Sequence, residues 1–156
     1  MKNRILPLLL FLILIISARL HAQTAAEMDV LLKADKVSAA GLARFVLGAA
    51  DLLQPELSGA EAEEAAYKIS SSNGWIRIPA EETATLKDTA FLIMKAFDLK
   101  GGIMYSLFKN PRYAYREMVY RKLIMGHADQ SMTINGARLL QILDKTIDYT
   151  GAEKGR

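Results

Sequence analysis

The sequence contains no cysteine, and of its two histidines only His127 lies beyond the first 22 residues. Without cysteine the chain can form neither disulfides nor a lipid anchor on a thiol. A zinc-type site needs three or four convergent ligands, and the stretch Gly-His-Ala-Asp at 126–129 supplies one histidine and Asp129. The surrounding residues also lack the rhythm of a calcium loop. We therefore expect a loop between two helices, with no metal, no cofactor and no catalytic group; the alternative is a chemical role for His127.

Beyond the N-terminus there is no apolar run near 18 residues, so no later segment is expected to span a membrane. The N-terminus has the plan of a secretory signal peptide, with a positively charged start, mostly apolar residues at 5–17 and a small-residue exit. We expect cleavage near Gln23, which makes 1–22 a signal peptide and 23–156 the mature domain; the alternative is an uncleaved anchor. The mature chain is expected to be periplasmic or secreted, with membrane contact only through the signal segment before cleavage.

Positive and negative charges are balanced once residues 1–22 are set aside. The whole chain has 20 basic and 17 acidic residues, and residues 1–22 hold three of the basic residues and no acid. The mature chain is thus balanced at 17 of each, so nucleic acid is not expected as a partner. The charges are nevertheless unevenly distributed, with eight acids against three bases between 51 and 88, and six bases against Glu117 alone between 100 and 122. This asymmetry favours one basic binding face, or charge complementarity within the chain or with a partner.

A pattern of residue types recurs along the chain. A shift of 48 positions pairs Ala66-Tyr67 with Ala114-Tyr115, Trp75-Ile76 with Leu123-Ile124, and Thr85 with Thr133. Upstream, residues 38–52 lie 47 positions before residues 85–99; both segments begin with a hydroxyl residue that can cap a helix, and both end in Asp-Leu. We expect two clear copies of one unit, near 60–100 and 108–150, and a third copy near 25–55 with a reduced first helix.

Apolar residues within each copy recur at helical spacing, for example between Tyr115 and Leu123. In the last copy the second helix is expected to begin after Thr133 as its cap. The only short alternating run, Gly-Trp-Ile-Arg-Ile-Pro at 74–79, stops at its proline, so it does not predict a sheet. The prediction is an all-α chain of helix–loop–helix repeats packed as one small bundle, with Trp75 in its core.

The stretch YAYREMVYRKLIMGHADQSMTINGARLLQIL, residues 113–143, resembles a degenerate S-layer homology (SLH) motif. In that family an aromatic-Ala-Tyr helix leads through a Gly-Ile-type turn and a Gly-x-x-Asp loop to a threonine that caps a second helix. Here Tyr113 stands at the aromatic start, Gly126 and Asp129 stand in the loop, and Thr133 stands at the cap. The resemblance implies a helical repeat of the cell envelope that binds wall polysaccharide.

The chain departs from the SLH pattern at the start of each second helix. The family has Thr-Arg-Ala-Glu there, and its arginine and acid help to form the glycan-binding groove. The corresponding stretches begin at Ser38, Thr85 and Thr133, none carries the arginine, and an acid is kept only as Asp88. The resemblance therefore implies the fold more strongly than polysaccharide binding, and Lys87 and Asp88 are the candidates for a remaining groove between repeats.

A second candidate surface lies on the helix predicted over 112–124. Its members are spaced i, i+3, i+4, i+7 and i+8, opposite the apolar face: Tyr113, Arg116, Glu117, Tyr120 and Arg121. Arginine beside tyrosine can bind acidic groups and stack on sugar rings. The alternative is an ordinary solvated helix face with a weak Arg–Glu pair. The acidic run at 61–64 has a simpler interpretation, because Ser58 and Glu61 have the spacing of a helix capping box.

These observations predict an exported, non-enzymatic module of the cell envelope whose partner is an envelope polysaccharide or an envelope protein. Binding to a wall glycan or another anionic polymer would use Tyr113, Arg116, Tyr120 and Arg121, with Lys87 and Asp88 as the second location. The alternative is a structural or protein-interaction domain that keeps the repeat fold and has lost glycan binding. A small envelope enzyme is disfavoured, because no nucleophile, base or metal set stands out in the sequence.

Overall fold

The computed structural model describes residues 25–126 and 129–154. The predicted signal peptide at 1–22 and the predicted loop position of His127 lie outside these residues. The described part of the chain is all-α, with seven helices packed as one bundle and no strand, which confirms the predicted fold class. In chain order the helices are α1 (25–32), α2 (Ala39–Ala49), α3 (Gly59–Ser72), α4 (Leu86–Ala96), α5 (Ile103–Phe108), α6 (Pro111–Tyr120) and α7 (Gly136–Lys154).

Helices α2 and α4 begin at the caps that the sequence predicts, and they end alike. The Ser38 hydroxyl accepts the Gly41 N–H at 3.1 Å, and Thr85 forms a capping box with Asp88, so each start has a side-chain cap. At the other end Asp51 and Asp98 adopt φ of 56° and 50°, the left-handed conformation that terminates a helix. The residue that follows each aspartate then donates its N–H back into the last helical turn, at 2.9 Å in both cases.

Helices α3 and α6 also end alike, at positions 48 residues apart. The Trp75 N–H donates to the Ser70 carbonyl at 2.8 Å, and the Leu123 N–H donates to the Met118 carbonyl at 2.9 Å. The residue before each donor has a positive φ, 68° at Gly74 and 60° in the α6 turn. Trp75 is half-buried against the rim of the core, whereas Leu123 is buried, so the two residues share a backbone position but not the same depth.

Three short extended segments meet at the centre of the bundle and close a ring of backbone hydrogen bonds. The Val37 N–H donates to the Ile134 carbonyl at 3.0 Å, the Ile134 N–H to the Ala84 carbonyl at 3.1 Å, and the Ala84 N–H to the Val37 carbonyl at 2.9 Å. All three residues are buried. Each lies just before a second helix, α2, α4 or α7, so the ring joins the three helix pairs α1–α2, α3–α4 and α6–α7. The buried backbone groups of these loops are thereby paired.

The prediction that Thr133 caps the last helix is wrong. The Arg138 N–H donates to the Asn135 side-chain oxygen at 2.9 Å, so Asn135 occupies the capping position. Ala84 and Ile134 are 50 positions apart in the ring, against 48 for the turns at Trp75 and Leu123, so two additional residues lie between Leu123 and Ile134. The internal repeat and its resemblance to SLH motifs stay predictions.

The capping box predicted for Ser58 and Glu61 is also not formed. Ser58 precedes α3 without a side-chain hydrogen bond, and the first N–H of the helix, at Gly59, donates instead to the Glu27 carboxylate at 2.7 Å. Glu27 comes from α1, 32 residues earlier in the chain. A carboxylate from another helix therefore offsets the dipole of α3.

The core is formed chiefly by α2 and α4, which are the most completely buried helices. Its largest buried side chains include Leu42, Leu47, Leu92, Ile93 and Met94, to which α6 and α7 add residues from one face each. No helix in the described ranges has the length and apolar character needed to cross a membrane.

Candidate functional site

Helix α6 presents one buried face and one exposed basic face. Asn110 caps it by accepting the Tyr113 N–H at 3.1 Å, and Pro111 occupies the first turn, where its missing N–H costs nothing. Ala114 and Met118 are buried against the bundle. On the exposed side, residues spaced i, i+4 and i+8 form a stripe, here called the α6 stripe: Arg112, Arg116 and Tyr120. Tyr120 is 84% exposed, so its ring is fully available to a ligand.

Arg121 does not belong to the exposed face on which the sequence placed it. Its side chain is only 16% exposed and pairs with Glu117, 15% exposed, at 2.8 Å. It also donates to the Tyr149 hydroxyl at 2.8 Å and to the Lys100 carbonyl, and its guanidinium lies 5.3 Å from the centre of the Tyr149 ring. Arg121 therefore connects α6 to α7 and to the start of the α5 segment. The expectation of a solvated Arg–Glu pair is wrong because these neighbouring segments cover it.

Glu117 completes this cluster from the other side. Its second oxygen accepts the Gly102 N–H at 3.0 Å, just before α5 begins. Burial alone would raise the pKa of the Glu117 carboxyl, but the hydrogen bond from Gly102, followed by the hydrogen bond and charge of Arg121, holds the pKa below its ordinary value. The carboxyl group of Glu117 thus stays ionised and binds both Gly102 and Arg121.

Tyr113 is half-buried and has one ring face covered. Its ring stacks on Phe108 with the centroids 5.3 Å apart and the planes at 24°. The stack joins the end of α5 to the first turn of α6. Of the four residues predicted for the α6 surface, the structure therefore leaves Arg116 and Tyr120 exposed, and it places Tyr113 and Arg121 in contacts that hold α5 and α7.

Lys87 and Asp88 lie at the start of α4, next to the loop at 129–132. Asp88 accepts both the N–H and the hydroxyl of Thr85, so its carboxylate is occupied within the capping box of α4. The Lys87 N–H donates to the Gln130 carbonyl at 3.0 Å. The hydrogen bonds that Asp129 accepts from the Ser131 hydroxyl and N–H lower the pKa of its carboxyl, and the Lys87 charge adds to this effect. Asp129 thus makes a local turn by accepting the Ser131 N–H.

Sequence reasoning missed a groove between α1, α2, α7 and the loop at 51–57. Its volume is about 780 Å³, and its walls include Met28, Phe45, Leu53 and Ile147. At its rim Arg44 donates to Glu27 at 2.9 Å, and the Arg44 Nε is buried without a hydrogen-bond partner. The two charged residues are 17 positions apart on different helices, so no local spacing could have indicated the pair.

Within the described ranges no group of three or more His, Cys, Asp or Glu side chains is arranged to hold a metal ion. The exposed side of α6 instead offers arginine and tyrosine side chains. Comparison with known proteins gave no match, whether to family models, to curated sequences or to solved structures. The resemblance to SLH motifs accordingly rests on the residues of this chain alone.

Proposed function

We propose that the chain is an exported, non-enzymatic module of the cell envelope that binds an anionic envelope polymer, such as an acidic wall glycan, through the α6 stripe. The observation that carries the proposal is the exposed alignment of Arg112, Arg116 and Tyr120 on one side of one helix. Guanidinium groups form charge-assisted hydrogen bonds with carboxylate or phosphate groups, and a tyrosine ring packs against sugar faces. A polymer with a repeating unit fits such a stripe, because its successive charged groups can contact side chains on successive turns of α6.

The internal contacts of Arg121 and Asp88 limit the strength of this binding. Both side chains are engaged within the fold, so the polymer meets two arginines and one tyrosine rather than the larger predicted set. Such a site is exposed, and exposed charges are screened by salt. We therefore expect weak binding at low ionic strength that is lost at high ionic strength.

Co-sedimentation with peptidoglycan sacculi tests the proposal, using one sample with its acidic polymers intact and one stripped of them. Wild type should pellet with the intact sample at low salt and remain in solution with the stripped sample. Arg112→Gln/Arg116→Gln should reduce the pelleted fraction several-fold. Lys36→Gln/Lys68→Gln removes the same charge from exposed lysines elsewhere and should pellet like wild type.

The second candidate function is a structural or protein-interaction domain without polymer binding. The use of Arg121, Glu117 and Tyr149 as a clamp between helices favours it, because these residues serve the fold. If wild type stays in solution with intact sacculi at low salt, polymer binding is refuted and this second function is retained. If the lysine control loses as much binding as the arginine variant, the interaction is nonspecific charge attraction and the α6 stripe is not a site.

A further inference from the structure

Helix α5 exposes most of its apolar side chains. Its sequence is Ile-Met-Tyr-Ser-Leu-Phe, and of its five large apolar residues only Tyr105 is buried. The other four, here called the α5 patch, are between 53% and 86% exposed: Ile103, Met104, Leu107 and Phe108. At 100° per residue these four lie within an arc of about 140°, so they form one continuous apolar face. A continuous exposed apolar face on a folded chain indicates a contact with something else.

The outward direction of the α5 patch is fixed by contacts on the opposite side of the helix. A Cβ atom at Gly101 would lie 2.3 Å from the Tyr105 ring, so the glycine permits the close approach that buries Tyr105. The Gly102 N–H is held by Glu117, and Lys100 is held through its carbonyl by Arg121. The contacts of Glu117 and Arg121 thus position α5 so that its apolar face points away from the bundle.

Basic residues surround the α5 patch in sequence and along α6. Lys100 precedes the helix, Lys109 ends it, and Arg112 and Arg116 lie on the exposed side of α6, the helix against which α5 packs. All four are exposed. Three acids are close. Glu117 is neutralised by Arg121, and the charge of Asp98 acts on the Tyr105 hydroxyl. Glu153 accepts the hydroxyl of Tyr149, the residue that Arg121 also contacts. The net charge around the patch is therefore positive.

We infer that the α5 patch is an interfacial anchor, which inserts into the headgroup region of an anionic lipid bilayer while the surrounding lysines and arginines contact the lipid phosphates. An apolar face bordered by cations is the pattern of segments that lie in a membrane surface. Tyr120, with an apolar ring and a polar tip, suits the same interface. Charge complementarity favours a lipid surface over a second copy of the chain, which would bring four exposed cations against four more.

This inference goes beyond the proposed polymer binding and does not depend on it. It also changes the expected relation to the membrane, since contact would be a property of the folded domain rather than of the signal segment. The two surfaces share Arg112, Arg116 and Tyr120, so variants of these residues affect both. Variants of the α5 patch separate them, because Ile103 and Leu107 play no part in the α6 stripe.

Vesicle flotation tests the anchor with the full chain recovered from the exported fraction. Mass spectrometry determines the N-terminus of each protein, which must be the same for wild type and every variant. The vesicles contain phosphatidylglycerol with phosphatidylethanolamine, or phosphatidylcholine alone. The test variant is Ile103→Ser/Leu107→Ser. Its matched control is Val30→Ser/Leu32→Ser, which removes two exposed apolar side chains from α1.

Wild type and the α1 control should float with the phosphatidylglycerol vesicles and much less with phosphatidylcholine. Ile103→Ser/Leu107→Ser should lower the partition coefficient about tenfold, because two apolar side chains are lost from the interface. The same variant should still pellet with intact sacculi, which distinguishes failure of the anchor from failure of polymer binding. Far-ultraviolet circular dichroism should show an unchanged helical content.

Three results would overturn the anchor. Wild type could fail to float with phosphatidylglycerol vesicles, or the α5 variant could float as well as wild type. In the third result, neither protein would bind vesicles. Sedimentation velocity would show that wild type is a dimer and that Ile103→Ser/Leu107→Ser is a monomer. That last outcome would assign the α5 patch to a second copy of the chain.

Discussion

Two carboxylates, Glu27 and Glu117, make nearly the same contacts in two regions of the molecule. Each accepts an N–H from a glycine next to the start of a helix, Gly59 for α3 and Gly102 for α5, and each pairs with one arginine. The Glu27 cluster joins α1, α2 and α3 over separations of 17 and 32 residues. The Glu117 cluster is more local, since its arginine lies one helical turn away.

The difference between the clusters lies in what each one holds. Glu27 fixes a long helix, α3, whose residues pack against α2 over much of its length. Glu117 fixes a short helix, α5, whose only buried side chain is Tyr105. The same set of contacts thus supports a packed helix in the first region and a helix with an exposed apolar face in the second.

The largest effect is expected at Glu27. Glu27→Ala leaves the Arg44 guanidinium, 17% exposed, and the Gly59 N–H without their partner, and should lower the free energy of unfolding by about 2–3 kcal/mol. Urea denaturation followed by circular dichroism measures the change. As a control, Asp29→Ala breaks the exposed Lys33–Asp29 pair and should cost no more than about 0.5 kcal/mol. Equal costs for the two variants would mean that the Glu27 cluster is not structural.

A smaller effect is expected at Glu117, because one of its two contacts serves only α5. Glu117→Gln keeps the shape of the side chain and removes the charge, and it should lower the free energy of unfolding by about 1–2 kcal/mol. In this variant amide exchange should become faster than in wild type, and the increase should be greater in α5 than in α3. If amide exchange in α5 is unchanged, the carboxylate does not position that helix.

The pH dependence of stability provides a second, smaller test of the Glu117 cluster. The folded state holds the pKa of Glu117 below its ordinary value of 4.5, so the unfolded chain binds this proton more readily. The stability from Glu117 is therefore complete above pH 4.5 and is lost as the pH falls through the folded-state pKa. Urea midpoints measured between neutral and acidic pH should fall less steeply in Glu117→Gln than in wild type. Parallel profiles would contradict the assigned cause.

Gly59→Ala should lose less stability than Glu27→Ala or Glu117→Gln, although Gly59 belongs to the Glu27 cluster. No atom lies within 4 Å of the added Cβ, and the cost comes from the φ of 56°, roughly 1 kcal/mol. Gly102 has an ordinary φ of −64°, but its added Cβ would lie 3.2 Å from the Glu117 carboxylate. We expect Gly59→Ala to change only the unfolding midpoint, and Gly102→Ala to disturb α5 as well, which amide exchange resolves.

Sequence patterns predicted those features that depend on neighbouring residues. The helical class and the caps at Ser38 and Thr85 both follow from local spacing, and the structure confirms them. Thr133 was assigned as a cap because the ungapped shift ignored two additional residues in the preceding loop, and Asn135 caps the helix instead.

The features that sequence patterns missed depend on contacts between distant segments. Arg121 has the spacing of an exposed residue on α6, but Tyr149 and the chain before α5 cover it. Helix α5 itself was not predicted, because the run Ile103–Phe108 is too short for a helical period to show. The local signal available was an apolar run directly after two glycines, which reads equally well as a loop.

We propose that the edge formed by α5 and α6 is the surface of the chain that contacts the cell envelope. Hydrogen–deuterium exchange of the full chain, measured alone, with phosphatidylglycerol vesicles and with intact sacculi, tests this proposal. We predict added protection confined to residues 100–122, centred on α5 with vesicles and on α6 with sacculi. Protection that falls instead on α1, α2 and α7, around the groove with Arg44 at its rim, would contradict the claim and move the binding surface to that groove.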